Sequence, residues 1–405
     1  MTNTLGDPIA AFYDRHPYPR PLAGHGDLAS RWGDEQALRV AHHLVWPERP
    51  VGSVTAVLVA GCGTSQAVRY AVQRPAARVV GVDVSERSLE HSRQLAVKLG
   101  VDNLELHRLA IEDVPAIGKR FDHVVCTGVL HHLADPSAGL RALRAALAPG
   151  GAITLMVYAP YGRTGVYMLQ EYCRRLGVGS SPGELADLVA TLRELPIGHP
   201  LGRLLRETRD FLDDASLADA LCNPRERAYS VPELFDTLGE AGLRFGRWQR
   251  QAPYLPDCGA ISETPHCARI AVLAAAEQYA AVELLRGTIT RHTAILFDAD
   301  DETSGVLDFS GNAMAQWVPI KVPTAIAVYE RLPAGAAAAL VNRAHVDNDL
   351  VLFADHEQLA ALDAIDGRLT IGELCELSPK TTAFVERLWR HDLIVCDASG
   401  AGGPA

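Results

Sequence analysis

The sequence predicts an α/β fold built on a mostly parallel sheet, followed by a small α+β segment. Three observations carry this expectation. Five short β-rich runs alternate with helical stretches between Val54 and Tyr158. The first of them, Val57-Leu58-Val59-Ala60, runs straight into Gly61-Cys62-Gly63, and the alternation stops at an acidic break, Asp298-Ala299-Asp300-Asp301-Glu302-Thr303-Ser304-Gly305. Strand–helix alternation favours parallel pairing, because each helix carries the chain back to the same end of the sheet.

Residues 1–47 read as an N-terminal arm. Pro17, Pro19 and Pro21 at alternate positions forbid a continuous helix after Arg15, so the stretch from Ile9 is expected to be extended. A helix from Asp34 to Leu44 leads through Pro47 and Pro50 to the α/β domain, residues 48–300. Its strands are expected at Val54–Ala60, Arg78–Val82, Leu104–Leu109, His123–Cys126 and Ala152–Tyr158, with two more at Leu243–Gln249 and His292–Phe297. Ser85 caps a helix that places Leu89, Ala96 and Leu99 on one face and stops at Gly100; Asp135-Pro136 opens another, stopped by Pro149-Gly150-Gly151. Residues 160–222 form a helical insertion broken at Gly177–Gly183 and at 196–200. Val231–Gly242 and a long Ala-rich stretch, Ala268–Leu285, have helical spacing. Residues 301–397 are a small α+β domain, with strands near Ile320–Val322, Ala325–Glu330 and Leu350–Phe353 and helices over Glu357–Ile365, Ile371–Leu377 and Lys380–Arg390. The Gly/Ala-rich tail, 398–405, is expected to be disordered.

A net charge of −11 without a Lys/Arg block disfavours nucleic acid as a partner and points to small molecules or peptides; a homodimer is compatible with it. The eight cysteines stand singly, without a CxxC pair, so neither a disulfide framework nor a metal site is expected, Cys258, His266 and Cys267 notwithstanding. No stretch reaches the ~20 uncharged apolar residues of a spanning helix, and the first residues lack signal-peptide character, so a cytoplasmic, membrane-free protein is expected.

The chemistry is concentrated between residues 57 and 133. Glycines at 61 and 63 let the backbone pass close to a ligand, and Val79-Val80-Gly81-Val82-Asp83 ends in a carboxylate about twenty residues later, where such folds hold a ribose diol. The third glycine of a dinucleotide fingerprint is missing from Gly61-Cys62-Gly63-Thr64-Ser65-Gln66. Then follow Ile111-Glu112-Asp113, Phe121-Asp122-His123-Val124-Val125 and Thr127-Gly128-Val129-Leu130-His131-His132-Leu133, closed by Leu147-Ala148-Pro149-Gly150-Gly151.

In this order the motifs resemble those of the class I, Rossmann-like S-adenosylmethionine-dependent methyltransferases, whose sheet is mostly parallel and seven-stranded. The resemblance implies S-adenosylmethionine as cofactor. It places Gly61, Cys62 and Gly63 beneath the methionine moiety, Asp83 and Val84 at the ribose, and Ile111 with Glu112 or Asp113 at adenine. Thr127, Gly128 and Val129 would line the methionine side. Two positions depart from the family: Val59 and Ala110 stand where acidic residues are usual.

Methyl transfer is an in-line displacement, so alignment and exclusion of water matter most; His131 or His132 is placed to take a proton from an oxygen or nitrogen acceptor. Tyr13, Tyr18, Tyr158, Tyr161, Arg163, Tyr167, Arg225, Arg227 and Tyr229 offer phenols and guanidinium groups to a planar or anionic small molecule, Tyr13 and Tyr18 from a lid. Leu362-Asp363-Ala364-Ile365-Asp366-Gly367-Arg368-Leu369-Thr370-Ile371-Gly372-Glu373-Leu374 is similar to the small winged-helix-like peptide-binding domains of the pyrroloquinoline-quinone peptide-chaperone type. That likeness keeps open a peptide-modifying methyltransferase, while Val59 and Ala110 keep open a non-catalytic cofactor-binding protein.

Overall fold

The computed structural model describes residues 8–22, 28, 32–196, 198–202, 214–301, 307–377 and 381–400. Residues 1–7, part of the helical insertion (203–213), the second half of the acidic break (302–305), Lys380 and the tail from residue 401 lie outside the described residues.

Seven strands form one sheet: β1 Ala56–Ala60, β2 Arg78–Asp83, β3 Leu104–Arg108, β4 Phe121–Thr127, β5 Leu147–Tyr158, β6 Leu243–Trp248 and β7 Arg291–Asp298. Their order is β3-β2-β1-β4-β5-β7-β6. Pairing is parallel from β3 through β5. The chain runs outward from β1 to β3 and resumes on the other side of β1 with β4. Beyond the carboxyl ends of β1 and β4 the order reverses, and crevices open at such switch points. All five residues of β1 are buried, as helices on both faces require.

Local chemistry sets the helices. Ser85 accepts from the Ser88 amide at the start of Glu86–Leu99, and Gly100 ends that helix at φ 65°. Asp135 caps Pro136–Ala145 by accepting from the Ala138 amide. Ser181 and Glu184 close a capping box on Pro182–Arg193.

Three expectations are corrected. The arm is helical from Pro8 to Arg15 and leaves the helix only at His16, where it continues through bends at Tyr18 and Pro19. β5 starts at Leu147 rather than Ala152, because Pro149-Gly150-Gly151 enters the strand opposite an irregular register instead of terminating a helix. A Cβ on Gly151 would lie 2.9 Å from the Phe121 carbonyl oxygen, so the approach needs glycine. The Ala-rich stretch is two helices, Cys267–Ala271 and Ala275–Arg286. The Gln278 amide donates to the carbonyls of Ala271 and Leu273 and satisfies the ends the break exposes.

Two compact units result, residues 1–32, 54–243 and 288–292 in the first, and 33–53, 244–287 and 293–405 in the second. In the first, helices Thr164–Leu176, Pro182–Arg193 and Asp214–Cys222 pack Val166, Leu169, Leu185, Leu188 and Leu217 against Phe12 of the N-terminal helix. In the second, β9 Ala325–Val328, β10 Ala338–Asn342 and β11 Val351–Ala354 form an antiparallel sheet in the order β11-β10-β9. β8 Val318–Lys321 pairs with β12 Ile394–Asp397, and Trp317, Leu340, Leu352, Phe384 and Leu388 fill the core. Among the described residues no helix is long and apolar enough to cross a membrane.

Asp397 ties the second unit together. It lies 3.3 Å from the buried His43 ring and 3.4 Å from Arg39, and accepts from the Ser399 hydroxyl at 2.6 Å. Burial pushes its carboxyl up, but the nearby His43 ring and the Ser399 hydroxyl outweigh this and hold it well below the usual range. A depressed carboxyl contributes stability above its unfolded value, about 3.9, that is lost as pH falls through the folded value. Thermal melts on acidification below about pH 4 are expected to fall less steeply for Asp397→Asn than for the native chain; parallel curves would contradict this.

Candidate active site

The site starts where β1 ends. Gly61 and Gly63 have φ of 69° and 54°, in the left-handed region that glycine tolerates. The amides of Gly61 and Cys62 both donate to the Val82 carbonyl, at 2.8 and 3.0 Å, folding the turn onto β2. A Cβ on Gly61 would collide with the Val129 side chain, and one on Gly63 would sit 2.6 Å from the Tyr18 carbonyl oxygen. Asp83 lies beside this bend: one oxygen accepts from the Gly63 amide at 2.8 Å and the other from the Ser85 amide at 2.9 Å. Burial raises its pKa, and these backbone donors oppose the rise.

The ends of β3 and β4 supply the remaining walls. Ile111 and Glu112 open a short 3-10 helix, Ile111–Ile117, while Thr127, Gly128 and Val129 follow β4. The Gln66 amide donates to the Thr127 hydroxyl at 2.7 Å and fixes the turn relative to β4. Across them lies the Pro8–Arg15 helix. Tyr13 donates to Asp219 at 2.7 Å and accepts from the Asn223 amide at 3.1 Å. Asp14 accepts from the Ser85 hydroxyl at 2.7 Å, and Thr64 donates to the Pro19 carbonyl at 2.7 Å.

These elements enclose a cavity of about 470 Å³. Of the residues singled out in the sequence, Gly61, Cys62, Gly63, Asp83 and Val84 line it from the first turn and β2, Ile111 and Glu112 from β3, and Thr127, Gly128 and Val129 from β4. Tyr13, Tyr18, Tyr158 and His132 complete that set; Gln66, Arg69, Met156 and Arg291 line it too, unremarked in the sequence.

The other candidates stand elsewhere. Asp113 is not in the cavity wall. Tyr161 is 40% exposed, and Arg227 is exposed with its guanidinium 4.9 Å from the Tyr229 ring centre. Tyr229 is completely buried outside the cavity wall, and its amide donates to the Tyr158 carbonyl. Arg163 lies behind the wall, 3.6 Å over the Tyr158 ring and 3.5 Å from Glu226. Tyr167 sits near it, at 5.9 Å from ring centre to guanidinium.

The two histidines differ sharply. His131 is buried against the Tyr158 ring at 4.1 Å, outside the cavity wall, with no hydrogen bond to either ring nitrogen. Burial pushes its pKa well below the usual value, so it stays neutral. His132 Nδ1 lies 2.6 Å from the Arg225 carbonyl, which can only accept, so Nδ1 carries the proton. Its Nε2 is then the basic nitrogen; it is buried and has no hydrogen-bond partner. Asp219, Asn223 and Glu226, which hold Tyr13 and Arg163, carried no signal in the sequence beyond a helical run ending at Pro224.

Comparisons with known proteins bear on the family and the fold. A family model described as "Methyltransferase domain" matches residues 58–153. An uncharacterized protein of Synechococcus sp. is 30% identical over 299 residues, spanning 72% of this chain and 71% of that one. A ubiquinone biosynthesis O-methyltransferase of Leptothrix cholodnii is 33% identical over 146 residues, 34% of this chain and 62% of its own length. The structure of PKMT2 from Rickettsia typhi in complex with AdoHcy superposes with a TM-score of 0.62 over 90% of this chain and 75% of that one; at 13% identity it speaks to the fold.

Proposed function

Because the chain belongs to the class I S-adenosylmethionine-dependent methyltransferases, we propose that it methylates an oxygen or nitrogen atom of a small-molecule acceptor, with His132 as the base. The observation that carries this reading is the His132 side chain, which lines the same cavity as the glycine turn and Asp83 and whose Nε2 is buried without a hydrogen-bond partner.

The residues present fit the cofactor. A cavity of about 470 Å³ lies in the range of small-molecule sites, with a carboxylate at one wall and glycine backbone beside it. In this reading Gly61, Cys62 and Gly63 run beneath the methionine moiety, Asp83 and Val84 meet the ribose, and Ile111 and Glu112 meet the adenine. Thr127, Gly128 and Val129 form the methionine side. Bound there, S-adenosylmethionine supplies an electrophilic methyl group on a sulfonium.

The chain does the rest. Tyr13 and Tyr18 present rings that hold a planar acceptor, Tyr158, whose ring is packed by Arg163 at 3.6 Å and His131 at 4.1 Å, lines the cavity beside them, and the Pro8–Arg15 helix excludes water above it. The Arg225 carbonyl fixes the His132 tautomer and ring direction, leaving Nε2 to take the acceptor's proton.

A second reading, peptide methylation, is favoured by β9. It is an edge strand of its sheet, and its flank exposes Ile326, Val328 and Tyr329, which suits strand addition. Incubating the chain with methyl-labelled cofactor and a cell extract separates the two. Label in the small-molecule fraction is expected, and label confined to peptides would reverse the assignment. His132→Gln is expected to lower the labelling rate about 10²–10⁴-fold while leaving S-adenosylhomocysteine binding unchanged.

A further inference from the structure

The part of the cavity wall that the cofactor reading leaves over carries positive charge. Among the described residues the wall's carboxylates are Asp83 and Glu112, at the ribose and adenine positions of that reading, and Asp83 is held by the Gly63 and Ser85 amides. Arg69 and Arg291 line the remainder. Arg69 stands on the helix Gln66–Gln73, three residues after Gln66, so the two side chains share a helix face. The bond from the Gln66 amide to the Thr127 hydroxyl fixes that face against the end of β4. Arg291 opens β7 on the other side of β5, where the Ala159 amide donates to the Thr290 carbonyl at 3.1 Å. The two cations therefore flank the end of β5 from which Met156 and Tyr158 line the same cavity. Arg69 makes no hydrogen bond or ion pair among the described residues. The arginines singled out in the sequence do not serve this wall: Arg163 is committed to Glu226, whose pKa burial raises more than Arg163 lowers it, and Arg227 is exposed elsewhere.

We propose that the methyl acceptor is an anion, a planar small molecule bearing a carboxylate or phosphate group, and that Arg69 and Arg291 hold this group at the β5–β7 end of the cavity. The inference rests on the small-molecule reading and names its substrate class. A guanidinium presents a planar fork of N–H donors that matches two oxygens of either group. Two cations on a wall without a carboxylate of its own attract the opposite charge, and a cleft lined by one sign of charge concentrates it. Held there by its charged end, the acceptor lays its ring against Tyr13 and Tyr18, and its orientation toward the methyl group is fixed. No bond forms or breaks at either arginine, and neither takes a proton. The cofactor carries a carboxylate of its own, so the test separates the two anions.

The test titrates the full chain, saturated with S-adenosylhomocysteine, with benzoate, phenyl phosphate and benzamide, followed by ligand-observed NMR. These share the ring and differ in charge. At least one anion is expected to bind about tenfold or more tighter than benzamide, the contribution of a charge-assisted hydrogen bond, and the tighter of the two identifies the group. Arg69→Gln and Arg291→Gln are each expected to cut that preference about tenfold and to leave benzamide binding and S-adenosylhomocysteine affinity as in the native chain. Arg69→Lys keeps the charge and should keep part of the preference. Equal binding of all three probes, or no binding of either anion up to about 10 mM, overturns the proposal. So does a preference that survives both glutamine substitutions. A fall in S-adenosylhomocysteine affinity in Arg69→Gln assigns that guanidinium to the cofactor's carboxylate and overturns it as well. Failure of the small-molecule reading shows elsewhere, as label confined to peptides of the extract, so the two failures are distinguishable.

Discussion

Arg163→Ala is expected to destabilise the first unit by about 3–5 kcal/mol, because it removes one partner of a buried ion pair and leaves the other charged. The side chains of Arg163 and Glu226 are 4% and 2% exposed, so neither recovers its hydration in the folded state. After the substitution Glu226 keeps only the Gln170 amide, and Tyr158 loses a guanidinium 3.6 Å from its ring centre. The effect reads out as a fall of roughly 10 °C in the melting transition that S-adenosylhomocysteine raises. Its pH dependence identifies the cause. In the variant the folded carboxyl is raised further above its unfolded value, so stability is retained at low pH and lost as pH rises through the interval between the two. The deficit should therefore shrink on acidification toward pH ~5. A deficit equal at all pH values would mean that lost packing, not the abandoned charge, is responsible. Replacing both partners by methionine removes the charge imbalance and is expected to restore most of the loss.

The parts of this molecule legible in the sequence are those whose causes are local. Ser85 and Gly100 bound a helix through bonds to residues at most five away, and the capping and stop chemistry is written in the residues themselves. The turn at Gly61–Gly63 and its carboxylate were legible because apolar strands of fixed length carry them to adjacent ends of β1 and β2. Pro149-Gly150-Gly151 misled because its local chemistry signals a stop, whereas the backbone of β4 offers a close approach that only glycine can meet. The helix break at 272–274 was hidden because the bonds that stabilise it come from Gln278, on the far side of the break.

The acceptor side was the least legible, and the reason is sequence distance. Tyr13 is held by Asp219, 206 residues away, and Arg163 by Glu226, 63 residues away. His131 and His132 are adjacent and chemically identical in the sequence. What separates them is the Arg225 carbonyl, 93 residues on, which fixes one ring at the cavity while the other packs against Tyr158. The same distance explains why Arg163, Tyr161, Arg227 and Tyr229 read as acceptor contacts: composition shows that guanidinium and phenol groups are available, and only packing shows which of them face a cavity.

Asp83→Ala is expected to weaken S-adenosylhomocysteine binding at least about a hundredfold, measured by calorimetry. Two hydrogen bonds from a diol to a carboxylate contribute on the order of 1.5–3 kcal/mol each, and each 1.4 kcal/mol is a factor of ten. Asp83 also accepts from the Gly63 and Ser85 amides, so a loss of affinity could arise from a relaxed turn instead of a lost ligand contact. Gly63→Ala isolates the turn. It leaves the carboxylate in place but forces a Cβ to 2.6 Å from the Tyr18 carbonyl oxygen at a φ of 54°, at a cost of roughly 1–3 kcal/mol. If Asp83 acts only by shaping the turn, the two variants should lose affinity and melting temperature in the same proportion. If it holds the ribose, Asp83→Ala loses far more affinity per degree of melting temperature than Gly63→Ala. Binding by Asp83→Ala within about tenfold of the native chain would remove Asp83 from the cofactor site, since one conventional hydrogen bond already accounts for that much.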